Sequence, residues 1–139
     1  MAHPTACAPA LEVQRVIVED NLLDNVRTMA PRLEKALLER FGNHPHVGDI
    51  RGRGLFQALE FVRDREQKTP FPADARLYAH VKREAMMRGL MCYPMGGTVD
   101  GANGDHVLLA PPFIVTDAHI DEIADKLAAA VDAAIDAAG

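Results

Sequence analysis

Apolar residues recur every three or four positions in four stretches of the chain, a spacing that predicts four helices. The predicted helices cover residues 6–18, 22–41, 74–88 and 116–135. Thr5, Asp20 and Thr116 stand where capping side chains are expected at the start of three of them. Pro31 falls inside the second predicted helix and removes one backbone hydrogen bond, so we expect a kink or a late helix start there.

Between the helices, the spacing of the apolar residues changes from that of a helix to that of short strands. Four strands are predicted, which cover residues 46–50, 55–62, 90–93 and 106–109. Arg51–Gly54 is expected to form a tight turn between the first two strands. The glycine-rich segment 94–105 is expected to be a mobile connection between the last two. The order ααββαββα predicts one α+β domain over residues 1–139, with a small mixed or antiparallel sheet and helices over one face.

The composition is that of an ordinary globular protein, and it narrows the classes of partner. Hydrophobic residues make up 48% of the 139 positions and charged residues 25%, which is enough apolar content for a packed core. The net charge of −5, with no tryptophan and no basic run, argues against a nucleic-acid surface. No apolar run approaches the ~20 residues of a membrane span.

The two cysteines, Cys7 and Cys92, are too few for a disulfide framework. We expect both to be small buried side chains in a reducing compartment. The N-terminal sequence lacks the basic and apolar regions of a secretory signal. Cytoplasm is therefore the expected location.

Familiar catalytic and metal-binding motifs are missing from the sequence. The glycine-rich segment has neither the Gly-Lys-Ser/Thr ending of a P-loop nor the spacing of a calcium loop. The six histidines form no zinc signature, and the four lysines fall on polar helix faces or in a charged loop. We predict no catalytic and no metal-binding residue. For Arg51–Gly54 an anion site and a structural turn are both open, and the turn is favoured.

Four segments together carry a family resemblance: His3–Ala8, Val47–Leu55, Gly89–Pro94 and Gly104–Ile114. They resemble the C-terminal domain of the class III aminotransferases, which are fold type I enzymes dependent on pyridoxal phosphate. The resemblance runs from His3 to about Val131. It implies the small α+β domain of that fold, and a parent enzyme that moves an amino group from an amine or ω-amino acid to a 2-oxo acid.

The resemblance also implies what this chain would not hold. In the family, the lysine that carries pyridoxal phosphate lies in a large N-terminal domain, so the cofactor belongs to the full-length parent and none is expected on this chain alone. Met1 would then be an internal residue of a longer chain, and the isolated chain would be inactive. The implied partners are the large domain, a second subunit of a homo-oligomeric dimer, and a small amine or 2-oxo acid.

One departure from the family concerns substrate. Ornithine-type members carry a carboxylate-binding arginine at the position of Leu108, and some amine:pyruvate members keep an arginine near Met91–Tyr93. This domain therefore has no evident carboxylate clamp, which favours an amine or ω-amino donor. Tyr93, Leu108 and Phe113 are the predicted substrate-binding residues. The alternative for Leu108 is a core position facing away from the site.

A second reading of the whole chain stays open from the sequence. The chain could be a stand-alone, non-catalytic binding or dimerisation module derived from this domain. The cofactor lysine, present or absent upstream, discriminates this reading from the enzymatic one.

Overall fold

The computed structural model describes residues 3–138 and contains four α-helices and four strands in the predicted order. The elements are α1 (Pro4–Glu19), α2 (Leu22–Phe41), β1 (Val47–Arg53), β2 (Phe56–Phe61), α3 (Leu77–Met87), β3 (Tyr93–Gly96), β4 (Asp105–Leu109) and α4 (Asp117–Ala138). A short 3₁₀ turn, Ala73–Ala75, precedes α3. Met1, expected to be internal to a longer chain, lies outside the described residues.

The strands form one sheet in the order β1-β2-β4-β3, and every neighbouring pair is antiparallel. This confirms the predicted fold class and selects the antiparallel form of the sheet. Burial alternates along β2 and β4, so that Leu59, Phe61, Val107 and Leu109 point into the core. The intervening residues face the other way, as expected for a sheet covered on one side.

Helices α2, α3 and α4 supply the rest of the core from residues at helical spacing. Leu33, Leu37 and Phe41 of α2 are fully buried, and Ile120, Leu127 and Val131 of α4 are buried with them. Together they cover the core side of the sheet. The opposite side of the sheet is left without a helix among residues 3–138.

Helix α1 differs from the others because none of its residues is buried. Leu11 and Val18 keep 72% and 73% of their surface exposed, and α1 packs mainly along α2. Cys7 lies on this helix and is exposed, so its predicted burial is wrong. No helix within residues 3–138 has both the length and the apolar composition needed to cross a membrane.

The predicted turn at Arg51–Gly54 is wrong in its position. β1 continues to Arg53, and the turn falls on Gly54 and Leu55, where Gly54 adopts a φ of 62°. Gly52 is instead needed for close approach: a Cβ there would lie 2.2 Å from the Phe56 carbonyl oxygen. The glycine signal was read as a turn, although it marks tight pairing of two strands.

One other boundary and one expected feature differ from the prediction. β3 begins at Tyr93 rather than residue 90, because Gly89, with a φ of 73°, still reverses the chain after α3. α2 begins at Leu22, as its apolar spacing predicts, so the alternative of a late helix start at Pro31 is wrong.

Two of the predicted caps are also absent. Asp20 lies at the C-terminal end of α1 rather than capping α2, and Thr5 lies inside α1. Thr116 does cap α4, because its hydroxyl accepts the His119 backbone N–H at 3.4 Å.

Candidate functional site

The sheet side that faces away from the core, here called the outer face, is the strongest candidate for a functional surface. Alternation along the strands places Ala58, Glu60, Tyr93, Met95, His106 and Leu108 on it. All six are half-buried or exposed, whereas their sequence neighbours in the same strands are buried, except Gly96, which is half-buried. Such an open sheet side next to a complete core indicates a surface that meets something else.

An apolar row crosses this face. Tyr93 of β3 lies directly opposite Leu108 of β4, and Leu108 lies opposite Ala58 of β2. Tyr93 is 61% exposed, and Leu108 is half-buried between its two partners. Leu108 is thus not a core residue. The structure brings together two of the three predicted substrate-binding residues.

Phe113, the third, follows the end of β4. It lines a groove with Val26, Phe56 and Ala110 at the end of the sheet, and neither Tyr93 nor Leu108 lines that groove. The Asn25 side-chain amide fixes this segment by donating to the Phe113 carbonyl at 2.6 Å. The place of Phe113 beside Leu108 and Tyr93 in a substrate site stays a prediction.

A polar row runs beside the apolar one. Glu60 lies opposite both Asp49 and His106 in the sheet. The Arg51 guanidinium donates to Asp49 Oδ2 and to Glu60 Oε2, each at 2.7 Å. These two carboxylates, Asp49 foremost, raise the pKa of Arg51. The charge of Arg51 is thus balanced by carboxylates of β1 and β2. This favours a structural role for Arg51–Gly54 over an anion site.

The glycine-rich loop after β3 is internally hydrogen-bonded rather than an open connection. The Gly97 N–H donates to the Gly104 carbonyl at 2.8 Å. Asp100 accepts the Asn103 backbone N–H at 2.7 Å and the Ala102 N–H at 3.0 Å. These bonds, with that from the Asn103 side chain, lower the Asp100 pKa to about 2. The loop therefore holds a defined shape beside the outer face.

Two side chains that the sequence reasoning missed lie where this loop meets β4. The Thr98 hydroxyl and His106 Nδ1 are 2.7 Å apart. His106 is two residues before Leu108 in the same strand, so both face outward. The predicted strand 106–109 already implied that His106 and Leu108 share a face. Nothing in the sequence pattern indicated that Thr98 would contact His106.

Asp105, next to His106, points the other way and has a structural role. It is buried, and its Oδ1 accepts the Tyr78 backbone N–H at 3.0 Å in the first turn of α3. Burial raises the Asp105 pKa against the opposing effect of this hydrogen bond. Asp105 thus ties the start of β4 to the start of α3.

No lysine in residues 3–138 lies in a site that fits pyridoxal phosphate. Lys68 and Lys82 are exposed, the Lys35 side chain is 71% exposed, and Lys126 is paired with Glu122 on α4. A lysine that holds this cofactor needs a desolvated pocket.

Burial raises the pKa of the Cys92 thiol to about 11, which leaves it unreactive. The described residues therefore offer surfaces for binding and positioning.

Comparison with known proteins gives one consistent result. The family model described as "Aminotransferase class-III" matches residues 1–131. An uncharacterised aminotransferase of Schizosaccharomyces pombe is 42% identical over 134 residues, which are 96% of this chain and 29% of that protein. A probable mitochondrial gamma-aminobutyrate transaminase 3 of Oryza sativa subsp. indica is 33% identical, over 94% of this chain and 24% of that protein.

Solved structures agree with the sequence matches. An omega-aminotransferase from Paracoccus denitrificans superposes with a TM-score of 0.84 at 37% identity, over 96% of this chain and 28% of that one. A PLP-bound aminotransferase mutant from Vibrio fluvialis gives a TM-score of 0.86 at 36% identity, over 99% and 28%. The chain thus spans less than a third of the length of these relatives.

Proposed function

The chain belongs to the class III aminotransferase family, and we propose from that premise that it forms the C-terminal small domain of such an enzyme. In this proposal, the large domain supplies pyridoxal phosphate and its lysine. The small domain closes one side of the substrate site. The parent reaction moves an amino group from an amine or ω-amino acid to a 2-oxo acid.

The uncovered outer face is the observation that carries this proposal. A domain with a complete core on one side of its sheet leaves Tyr93 and Met95 exposed on the other. In an enzyme more than three times as long, that face has a larger body available to cover it. We therefore assign the outer face to the boundary with the large domain, where Tyr93 and Leu108 line the substrate site.

The proposed donor class rests on the side chains of β3 and β4. Neither strand contributes an arginine to the outer face, since their sequences are Tyr-Pro-Met-Gly and Asp-His-Val-Leu-Leu. An apolar wall of Tyr93 and Leu108 accepts an uncharged substituent and gives an α-carboxylate no bidentate partner. We propose an amine or an ω-amino acid as the donor for that reason.

The exposed apolar residues of α1 support further partners. Leu11, Val13 and Val18 are largely exposed, which favours their burial against the large domain or a second subunit in a homo-oligomer. The dimeric state and the cytoplasmic location stay predictions from the sequence. The alternative of a non-catalytic module gains no specific support, because the relatives described above are named aminotransferases.

The test is to assay the complete coding region that contains this chain beside the 139-residue chain alone. With pyridoxal phosphate, an amine donor and pyruvate, the complete enzyme is expected to form alanine. The isolated chain is expected to form none above the free-cofactor background. A complete protein that carries the cofactor but transfers no amino group from any donor tested would contradict the proposal.

A further inference from the structure

On the outer face, the His106 ring keeps one nitrogen free for a hydrogen bond. Its neighbour across the strands, Glu60, accepts from Arg51 in the polar row. His106 has a partner at Nδ1, the Thr98 hydroxyl at 2.7 Å, and its Nε2 has no hydrogen-bond partner within residues 3–138. Such an oriented ring with one free nitrogen is a typical arrangement for contacting a ligand.

The Thr98 contact also bears on which nitrogen carries the proton. When a hydroxyl donates to Nδ1, the proton of a neutral imidazole resides on Nε2, and Nε2 becomes a donor. The loop that holds Thr98 has its own support, through Gly97 to Gly104 and through Asp100 to Asn103. The ring is therefore fixed by a shaped loop rather than by a flexible neighbour.

Position in the sheet relates His106 to the apolar row. His106 and Leu108 lie on the same side of β4, two residues apart, which corresponds to about 7 Å along a strand. Tyr93 stands directly beside Leu108, and Met95 directly beside His106. A ligand lying along β4 would meet an apolar wall at one end and a nitrogen donor at the other.

We infer that His106, held by Thr98, is a specificity-determining residue that donates from Nε2 to a carboxylate on a ligand whose apolar body lies against Tyr93 and Leu108. This inference rests on the proposed function, because it takes the outer face as a boundary of the substrate site. It gives the domain a single-point carboxylate contact in place of the bidentate arginine that is missing from β3 and β4. The residue binds and orients the ligand and takes no part in proton transfer.

A matched pair of donors tests this in the complete enzyme. The donors 6-aminohexanoate and hexylamine have equal chain lengths and differ in the carboxylate. For His106→Leu, we expect the KM for 6-aminohexanoate to rise about tenfold, the effect of losing one charge-assisted hydrogen bond. The KM for hexylamine is expected to stay within about twofold, since apolar contacts are kept. His106→Gln keeps a donor near Nε2 and should recover part of the loss.

Two further variants separate binding from structure. Thr98→Val should give a smaller rise in KM for 6-aminohexanoate alone, because the ring stays but loses its anchor. His80→Leu removes a histidine on α3, on the core side of the sheet, and should change neither KM. A parallel measurement of ring-nitrogen chemical shifts in the 139-residue chain should find the His106 proton on Nε2.

The outcomes distinguish this inference from the proposed function. If the enzyme is active and His106→Leu raises both KM values equally, or neither, the inference is overturned and the proposed function stands. A neutral ring with its proton on Nδ1 overturns the inference as well. If the complete enzyme transfers no amino group from either donor to pyruvate, the proposed function fails and the inference fails with it.

Discussion

Tyr93 and Leu108 face each other across β3 and β4, with Ala58 completing the row on the far side of Leu108. The pairing is between two strands joined by a loop that is itself fixed by hydrogen bonds. Both side chains point away from the core that Val107 and Leu109 enter. A substitution at Leu108 is therefore expected to change the outer face more than the packing of the core.

Leu108→Arg in the complete enzyme should change the choice of donor. A guanidinium beside Tyr93 would offer a carboxylate two parallel hydrogen bonds, as arginine–carboxylate pairs do. We expect the kcat/KM ratio of a dicarboxylic amino donor to an uncharged amine to rise about tenfold, or about 1.4 kcal/mol.

Leu108→Met is the control for that variant, because it conserves volume and adds no charge. It should leave the ratio of the two donors unchanged. If both donors react within twofold of wild type in a folded Leu108→Arg enzyme, Leu108 does not line the substrate site.

Asp105 gives a prediction for stability. Asp105→Ala leaves the Tyr78 N–H without its partner at the start of α3, and we expect a loss of about 1–3 kcal/mol in the free energy of unfolding. Asp105→Asn keeps an acceptor oxygen and should cost much less. Urea unfolding of the three proteins at pH 7 measures both; equal losses for the two variants would show that the hydrogen bond is not the stabilising contact.

The same carboxyl has a defined pH dependence. Burial raises its folded-state pKa, so the folded protein holds this proton more tightly than the unfolded chain. The stability contribution of Asp105 is therefore fully present below the unfolded value of 3.8 and is lost as pH rises through the higher folded pKa. Asp105→Asn should remove this component from the slope of unfolding free energy between pH 4 and pH 7, measured against wild type. If the slope of unfolding free energy against pH is the same in Asp105→Asn and wild type, a group other than Asp105 titrates in this range.

Gly52→Ala should destabilise the β1–β2 pair. A Cβ at this position would lie 2.2 Å from the Phe56 carbonyl oxygen and 2.5 Å from Gln57 Oε1. Because backbone cannot retreat easily, we expect a cost of about 1–3 kcal/mol in thermal or urea unfolding. Gly101→Ala is the comparison, since no atom lies within 4 Å of its Cβ and only the φ of 87° opposes it.

The sequence predicted the order and type of all eight elements, because their apolar spacing is decided locally by one buried face. Leu33, Leu37 and Phe41 show this for α2, where all three are buried. The error at Gly52 has a different cause. A glycine that permits a turn and a glycine that permits close strand pairing look the same in sequence, and only the register across β1 and β2 separates them.

The candidate site was predictable only in part. Leu108 and Tyr93 were named from a family resemblance, and their direct pairing follows from the register of β3 against β4. Phe113 follows the end of β4, where alternation no longer fixes the direction of a side chain, so its place in the site stays a prediction. The contact between Thr98 and His106 depends on how the connection between Gly96 and Asp105 folds back, which the local sequence pattern does not encode.

Helix α1 gives the last prediction, on the association of the isolated chain. Leu11 and Val18 are 72% and 73% exposed, and no residue of α1 is buried. Exposed apolar surface of this kind drives association between copies of a chain. The 139-residue chain should therefore self-associate at high concentration and bind the dye ANS. Leu11→Glu with Val18→Lys should shift sedimentation toward monomer without lowering the unfolding temperature, because neither side chain contributes to the core. Leu38→Glu, on the exposed side of α2, is the control at an equally large surface leucine. A monodisperse wild-type monomer that binds no ANS would show that α1 needs no partner.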